Sequence, residues 1–429
     1  MRIVELTEKS KKDLLTSLLK RNPGQYAEYE GVVNDIISNI RENGDSALLD
    51  YTCRFDKWDA SAATLRVTQE EIDEAYAEYD PELIRIMEKA AENITEYHKK
   101  QLQNSWISTD EKGCILGQKV TPVGRAGVYV PGGKAAYPSS TLMCVIPAKV
   151  AGVKRIVMMT PANAEGKVAP CTLVAAKITG VTEIYKVGGA QAIAALAFGT
   201  ETIPKVDKIV GPGNIYVALA KKAVFGFVSI DSVAGPSEIM IIADETANPR
   251  YVAADLLSQA EHDELASAIL ITTDKELAQK VSVEVDKFTE KLSRKDIIKK
   301  SLDNYGYVLV AENMDMAVAA ANEIASEHLE ILTKDPYDIM TRIENAGAIF
   351  LGSYSSEPLG DYYAGPNHVL PTNGTAKFFS PLGVDAFIKR SSIISYSESA
   401  LKECFEDIAK FAEAEGLTAH ANSVRVRFE

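Results

Sequence analysis

Over residues 1 to about 110, apolar side chains recur every third or fourth position among many charges. GVVNDIISNIRENGDSALLDYTCRFD and EEIDEAYAEYDPELIRIMEKAAENITEYHKKQ both show this spacing, which predicts amphipathic helices. Asn43-Gly44 punctuates the first. After Lys112 the pattern changes. RAGVYVPGG, RIVMMTPA, EIYKVGG and KIVGPG read as short buried strands ending in Gly or Pro, and SSTLMCVIPAKVAGV, APCTLVAAKITGV and AQAIAALAFGTE as the helices between them. Such alternation predicts βαβ units and a parallel sheet. EIMIIAD, SAILITTD, YGYVLVAE and AGAIFLG begin a second set. The expected architecture is α/β: a helical region over 1–110, a first lobe over 111–240 and a second over 241–390. Residues 391–429 read as a charged helix, a Gly turn and a short polar tail.

Composition narrows the function classes. The 429 residues are 46% hydrophobic and 25% charged, as in ordinary globular proteins. A formal charge of −14 leaves no basic footprint for nucleic acid. Five cysteines occur without a CxxC pair, so no disulfide framework is implied. The opening MRIVELTEKSKKDLL lacks a signal-peptide apolar core, and the apolar runs are too short for a membrane span. A reducing cytoplasm fits these features.

Three turns follow strands and open helices: Val130-Pro131-Gly132-Gly133, Val187-Gly188-Gly189-Ala190-Gln191 and Gly211-Pro212-Gly213-Asn214. Glycine lets backbone approach a ligand, and helix amino ends favour phosphate. None matches GxGxxG with an acid about twenty residues on. Three in consecutive units point to a nucleotide crevice at the carboxyl ends of the strands. Gln191 and Asn214 are candidate hydrogen-bonding partners. Tyr129 either packs on a base or ribose or is a strand-end core aromatic.

Histidine is scarce. His98 reads as a surface residue of the charged helices. The other four, His262, His328, His368 and His420, lie near carboxylates or turns. In SQAEHD, Gln259 and His262 share a helical face, either as a solvated helix end or as half of a metal site. Gln259, His262, Asp361 and His420 would supply nitrogen and oxygen ligands suited to zinc or manganese with open positions. Glu327-His328 is a candidate pair for dividing two proton transfers.

VGRAGVYVPGG, VGGAQAIAALAFGTE, VGPGNIYVALAKKAVFG, AGPSEIMIIAD, DLLSQAEHD, SEHLEI, DYYAGPNHVLPT and EGLTAH occur in this order. From about residue 25 onward the chain resembles the histidinol dehydrogenase family. The resemblance implies two Rossmann-like lobes of aldehyde dehydrogenase-like architecture. It implies oxidation of L-histidinol through L-histidinal to L-histidine, the last step of histidine biosynthesis, with two NAD reduced. It also implies one zinc per subunit and a homodimer whose C-terminal segment completes the partner's site. Carried over by motif, Gln259, His262, Asp361 and His420 would hold the metal, and Glu327 and His328 would be the bases. NAD would contact Tyr129, Gln191 and Asn214. Substrate would contact Ser237, Glu415, His328 and the metal ligands, with His368 a further candidate.

Three rival readings remain at this stage. An aldehyde dehydrogenase would need a cysteine nucleophile, with Cys144 the candidate although it sits in an apolar helical pattern. A dinucleotide-binding regulator leaves the histidines and carboxylates unexplained. A zinc hydrolase lacks its HExxH sign.

Overall fold

The computed structural model describes residues 1–19, 21, 27–132 and 136–429; Gly133, of the first Gly turn, lies outside the described residues. Two compact units divide the chain: Met1–Gln101 with Val123–Phe387, and Leu102–Pro122 with Ile388–Glu429. Residues 102–122, which the sequence pattern divides between the helical region and the first lobe, therefore belong with the C-terminal residues.

The N-terminal region is not wholly helical. It runs β1 (Arg2–Glu5), α1 (Glu8–Leu19), α2 (Ala27–Asp56), α3 (Gln69–Glu78) and α4 (Pro81–Lys99). Gly44 interrupts α2 with φ 51° and ψ −130°. There the Asp45 N–H donates to Glu201 Oε2 at 2.7 Å, and a Cβ on residue 44 would fall 2.3 Å from that oxygen. His98, expected at the surface, is fully buried. It extends the inward stripe of Ala90 and Ile94 on α4, and its Nδ1 lies 2.8 Å from Gln101 Oε1. The charges around it suggest surface, but helical periodicity turns it inward.

The second unit starts with β2 (Trp106–Thr109) and β3 (Ile115–Pro122), an antiparallel pair. The first lobe follows: β4 (Arg125–Tyr129), α5 (Pro138–Val150), β5 (Arg155–Met159), α6 (Pro170–Thr179), β6 (Ile184–Tyr185), α7 (Gly189–Phe198), β7 (Lys208–Val210), α8 (Ile215–Val224) and β8 (Ser229–Ile230). Its sheet is parallel throughout, ordered β6-β5-β4-β7-β8. The winding reverses between β4 and β7, and this reversal opens a crevice.

The second lobe runs β9 (Glu238–Ala243), α9 (Pro249–Ala260), β10 (Ser267–Thr272), α10 (Lys275–Thr289), α11 (Lys295–Tyr305), β11 (Gly306–Val310), α12 (Met314–Ile324), β12 (His328–Leu332), α13 (Pro336–Met340), β13 (Ala348–Leu351) and α14 (Glu357–Tyr362). Its parallel sheet is ordered β1-β11-β10-β9-β12-β13, with the N-terminal β1 as an edge strand on β11. β9 and β10 are buried at every position, which is why they read as continuous apolar runs: helices cover both faces of a parallel sheet. The winding reverses again, between β9 and β12.

The C-terminal residues give β14 (Ile388–Ser395), α15 (Glu398–Ala414) and α16 (Thr418–Arg425). β14 pairs antiparallel with β3. The expected polar tail is therefore helical after its turn at Gly416 (φ 75°). Among the described residues, no helix is long and apolar enough to cross a membrane.

Candidate active site

The first-lobe reversal holds a cavity of about 1130 Å³. Tyr129, Gln191 and Asn214, read separately from three turns, all line it. Tyr129 ends β4 and is 4% exposed, so it is both a strand-end core aromatic and a wall of the cavity. Its hydroxyl accepts the Gly189 N–H at 3.1 Å. Burial, only partly offset by that bond, raises its pKa to about 12. Asn214 caps α8, its Oδ1 accepting the Val217 N–H at 3.2 Å. Gly211 has φ +119°, and a Cβ there would sit 2.0 Å from the Tyr129 carbonyl oxygen. Only glycine lets the turn after β7 close against β4.

The second reversal holds Glu327 and His328, at the amino ends of its strands rather than the carboxyl ends. His328 opens β12, pairing with Ile239 of β9. The backbone of one residue fixes both side chains: the Glu238 N–H donates to Glu327 Oε2 at 2.9 Å, and the Glu238 carbonyl lies 3.0 Å from His328 Nδ1. A carbonyl only accepts, so Nδ1 carries a proton and Nε2 is left for exchange. Nε2 lies 3.5 Å from Asp361 Oδ1. Burial raises the Glu327 pKa to about 8, against the pull of His328. Burial also penalises the His328 cation, but Glu327 and Asp361 outweigh it and raise the ring to about 10.

Glu238 itself is anchored. Its carboxylate pairs with Arg21, fully buried and stacked 5.0 Å from the centre of the Tyr305 ring, and accepts the Asn373 N–H at 3.2 Å. Ser237, just before it, is half-buried.

The metal candidates come together in part. His328, Glu357 and Asp361 offer ligand atoms all within 4.8 Å of one another, and His262 senses the charges of Asp361 and His328. Gln259 is 1% exposed and its Oε1 has no hydrogen-bond partner. It ends α9, where the helix dipole favours a cation. Asp361 is held as a carboxylate near 2, since His328 overcomes the cost of burial. Desolvation lowers His262, against Asp361, and keeps its lone pair free. An orphaned amide oxygen, an ionised carboxylate and a neutral imidazole fit a zinc-type ion, whose ligands must be deprotonated. Glu415 and His420 are exposed in the second unit, at the end of α15 and on α16. His368 braces the ligand chain, its Nδ1 lying 3.0 Å from the Asp361 carbonyl and its Nε2 3.4 Å from Ser140 Oγ.

Sequence reasoning passed over several participants. Glu357, on α14 and 2% exposed, accepts from Ser258 Oγ at 2.8 Å; burial and Asp361 raise its pKa to about 7. Its position four residues before Asp361 is a signal the sequence carries. Glu238 and Arg21 carry none, because only the fold joins them. Cys144 is fully buried inside α5, and burial pushes its thiol well above the usual range. A nucleophile needs the opposite setting, so the cysteine rival loses its candidate.

Two parallel α/β lobes, with a cavity at one winding reversal and a buried acid–imidazole pair at the other, define a doubly wound α/β protein with a candidate acid–base site. Comparisons with known proteins narrow the class. The histidinol dehydrogenase family model matches residues 19–428. The histidinol dehydrogenase of Clostridium acetobutylicum is 57% identical over 413 residues, 96% of this chain and 95% of that one. That of Bacillus subtilis is 57% identical over 400 residues, 93% of each chain. The crystal structure of histidinol dehydrogenase from Elizabethkingia anophelis superposes with a TM-score of 0.93 at 39% identity, covering 100% of this chain and 98% of that one. The chain belongs to the histidinol dehydrogenase family.

Proposed function

We propose that the protein oxidises L-histidinol through L-histidinal to L-histidine, with two NAD reduced per substrate, as the last step of histidine biosynthesis in the cytoplasm. The observation that carries this reading is the buried Glu327–His328 pair, held by the backbone N–H and carbonyl of Glu238. On this reading the first lobe (β4 to β8) binds NAD through Tyr129, Gln191 and Asn214, and the second (β9 to α14) carries the metal and the bases. Residues 391–429 bring Glu415 and His420 to the partner subunit's site in a homodimer.

Gln259, His262, Asp361 and His420 would hold one zinc per subunit. Bound there, zinc supplies a Lewis-acidic anchor for nitrogen and oxygen donors of the substrate, and NAD supplies the electron acceptor for both oxidations. The chain's own residues handle the protons. His328 takes the alcohol proton at Nε2 as the carbinol carbon is oxidised to the aldehyde. Ser237, Glu415 and the surrounding walls keep the amino aldehyde bound and shielded from bulk water. Glu327 then removes a proton from a water that adds to the aldehyde carbon. His328, after releasing its first proton to solvent, takes the hydroxyl proton of the resulting gem-diol as that carbon is oxidised to the acid. Each turnover consumes one water and two NAD.

The direct test is the NADH formed from limiting L-histidinol by the zinc-loaded protein. Two per substrate is expected. One per substrate would mean that the aldehyde escapes unhydrated, and none would overturn the reading.

A further inference from the structure

Among the described residues, two charged side chains line the first-lobe cavity, Lys167 and Asp56; Lys167 is exposed. Asp56 is the last residue of α2, so it comes from the N-terminal region rather than from the lobe. Its carboxylate stands beside Gly188, where a Cβ would fall 3.3 Å from Oδ1. Oδ2 is buried and has no partner. Gln191, 1% exposed, lines the same cavity with its Nε2 also unpartnered.

The amino end of α7, where a phosphate would be expected, is already taken. The Tyr129 hydroxyl holds the Gly189 N–H, and the Asp56 carboxylate stands beside Gly188. A resident carboxylate repels a phosphate from that end. One orphaned acceptor and one orphaned donor remain. A hydroxyl both donates and accepts, so it matches an acceptor such as Asp56 Oδ2 and a donor such as Gln191 Nε2; a phosphate dianion has nothing to donate to Asp56. In doubly wound dinucleotide folds the ribose-reading acid stands beyond the first strand's helix, around the end of the second strand. Here the loop after β5 lines the cavity with Pro161, Ala162 and Asn163 and no acid.

We infer that Asp56 is the residue that sets cofactor choice: it accepts a hydrogen bond from the 2′-hydroxyl of the cofactor's adenosine ribose and repels a 2′-phosphate, selecting NAD over NADP. The inference rests on the reading of this cavity as the cofactor site.

The test compares kcat/KM for NAD and NADP, at saturating L-histidinol, in the zinc-loaded wild type and in Asp56→Asn. Loss of a hydrogen bond to a charged group is expected to lower kcat/KM for NAD roughly 10- to 100-fold, mainly through KM. With the repulsion gone, kcat/KM for NADP rises, and the preference for NAD collapses. An Asp56→Asn protein that melts like a folded protein yet keeps the wild-type ratio within about threefold overturns the assignment. A second measurement needs no variant: 2′-deoxy-NAD should bind the wild type roughly 10-fold or more weaker than NAD. Equal binding of NAD and its 2′-deoxy analogue overturns the role of Asp56 while leaving the cavity as the cofactor site. A wild type that binds neither NAD nor NADP overturns both.

Discussion

At the residue scale, the division of labour between Glu327 and His328 follows from which atoms are already committed. Glu238 occupies His328 Nδ1, so Nε2 serves each oxidation. Only hydration of the aldehyde needs a second base. His328→Asn should therefore slow both half-reactions by roughly 10²–10⁴-fold, whereas Glu327→Gln should do so mainly for L-histidinal. Equal losses with alcohol and aldehyde as substrate would break this assignment. Asp56 makes a separate prediction about stability. Burial, partly offset by the Gly188 N–H, raises its pKa from 3.8 to about 6 in the folded protein. A raised acid favours folding most below its unfolded value, and that advantage is lost as pH rises through about 6. Above pH 6 the wild type carries the cost of a buried carboxylate, on the order of 2–3 kcal/mol. Asp56→Asn should then unfold at higher urea at pH 8, with the gain shrinking towards pH 4. A gain that is the same at both values would contradict the assignment.

At the element scale, each lobe places its site at the winding reversal of its sheet, but at opposite strand ends. In the first, the turns after β4 and β7 meet at the carboxyl ends, and Gly211 makes the meeting possible. Gly211→Ala should cost about 1–3 kcal/mol in backbone strain alone, and its Cβ would push β7 away from Tyr129. The expected result is weaker NAD binding in calorimetry with a lower melting temperature. A variant that melts lower but binds NAD as tightly as wild type would separate the turn from the cavity. In the second lobe, α9 ends beside the amino ends of the strands, and His262 just past it feels the charges of Asp361 and His328. The Arg21–Glu238 pair ties those strand ends to the chain two residues past α1.

At the scale of the whole molecule, the proposed shared site predicts complementation. His328→Asn and His420→Ala subunits should each be nearly inactive as homodimers. If His420 serves the partner's site, mixed dimers formed by co-expression hold one site with both residues intact and recover up to about half the wild-type rate per site, because one of two sites is whole. Mixed dimers as inactive as either parent would place both residues in the same subunit's site.

The alternation of apolar strands and alanine-rich helices after Lys112 determined the two parallel lobes, because a strand covered on both faces must be apolar at every position. It determined the three turns whose side chains line the first cavity, since Gly and Pro mark strand ends locally. The ordered motifs SQAEHD, SEHLEI and DYYAGPNHVLPT marked Gln259, His262, Glu327, His328 and Asp361 without showing which of their atoms face one another. Tertiary structure alone decided the rest. β1 joins the second sheet by backbone pairing to β11, and edge pairing across hundreds of residues leaves no local period. The Asn43-Gly44 break was legible, but the carboxylate that approaches it was not. Asp56, Arg21 and Glu238 looked like ordinary charges in the sequence. Their roles arise from burial, which the number of charges nearby does not report: His98, set among charges, lies fully inside. A carboxylate or guanidinium is given its function by the partners that replace water, and those partners come from distant elements of the chain.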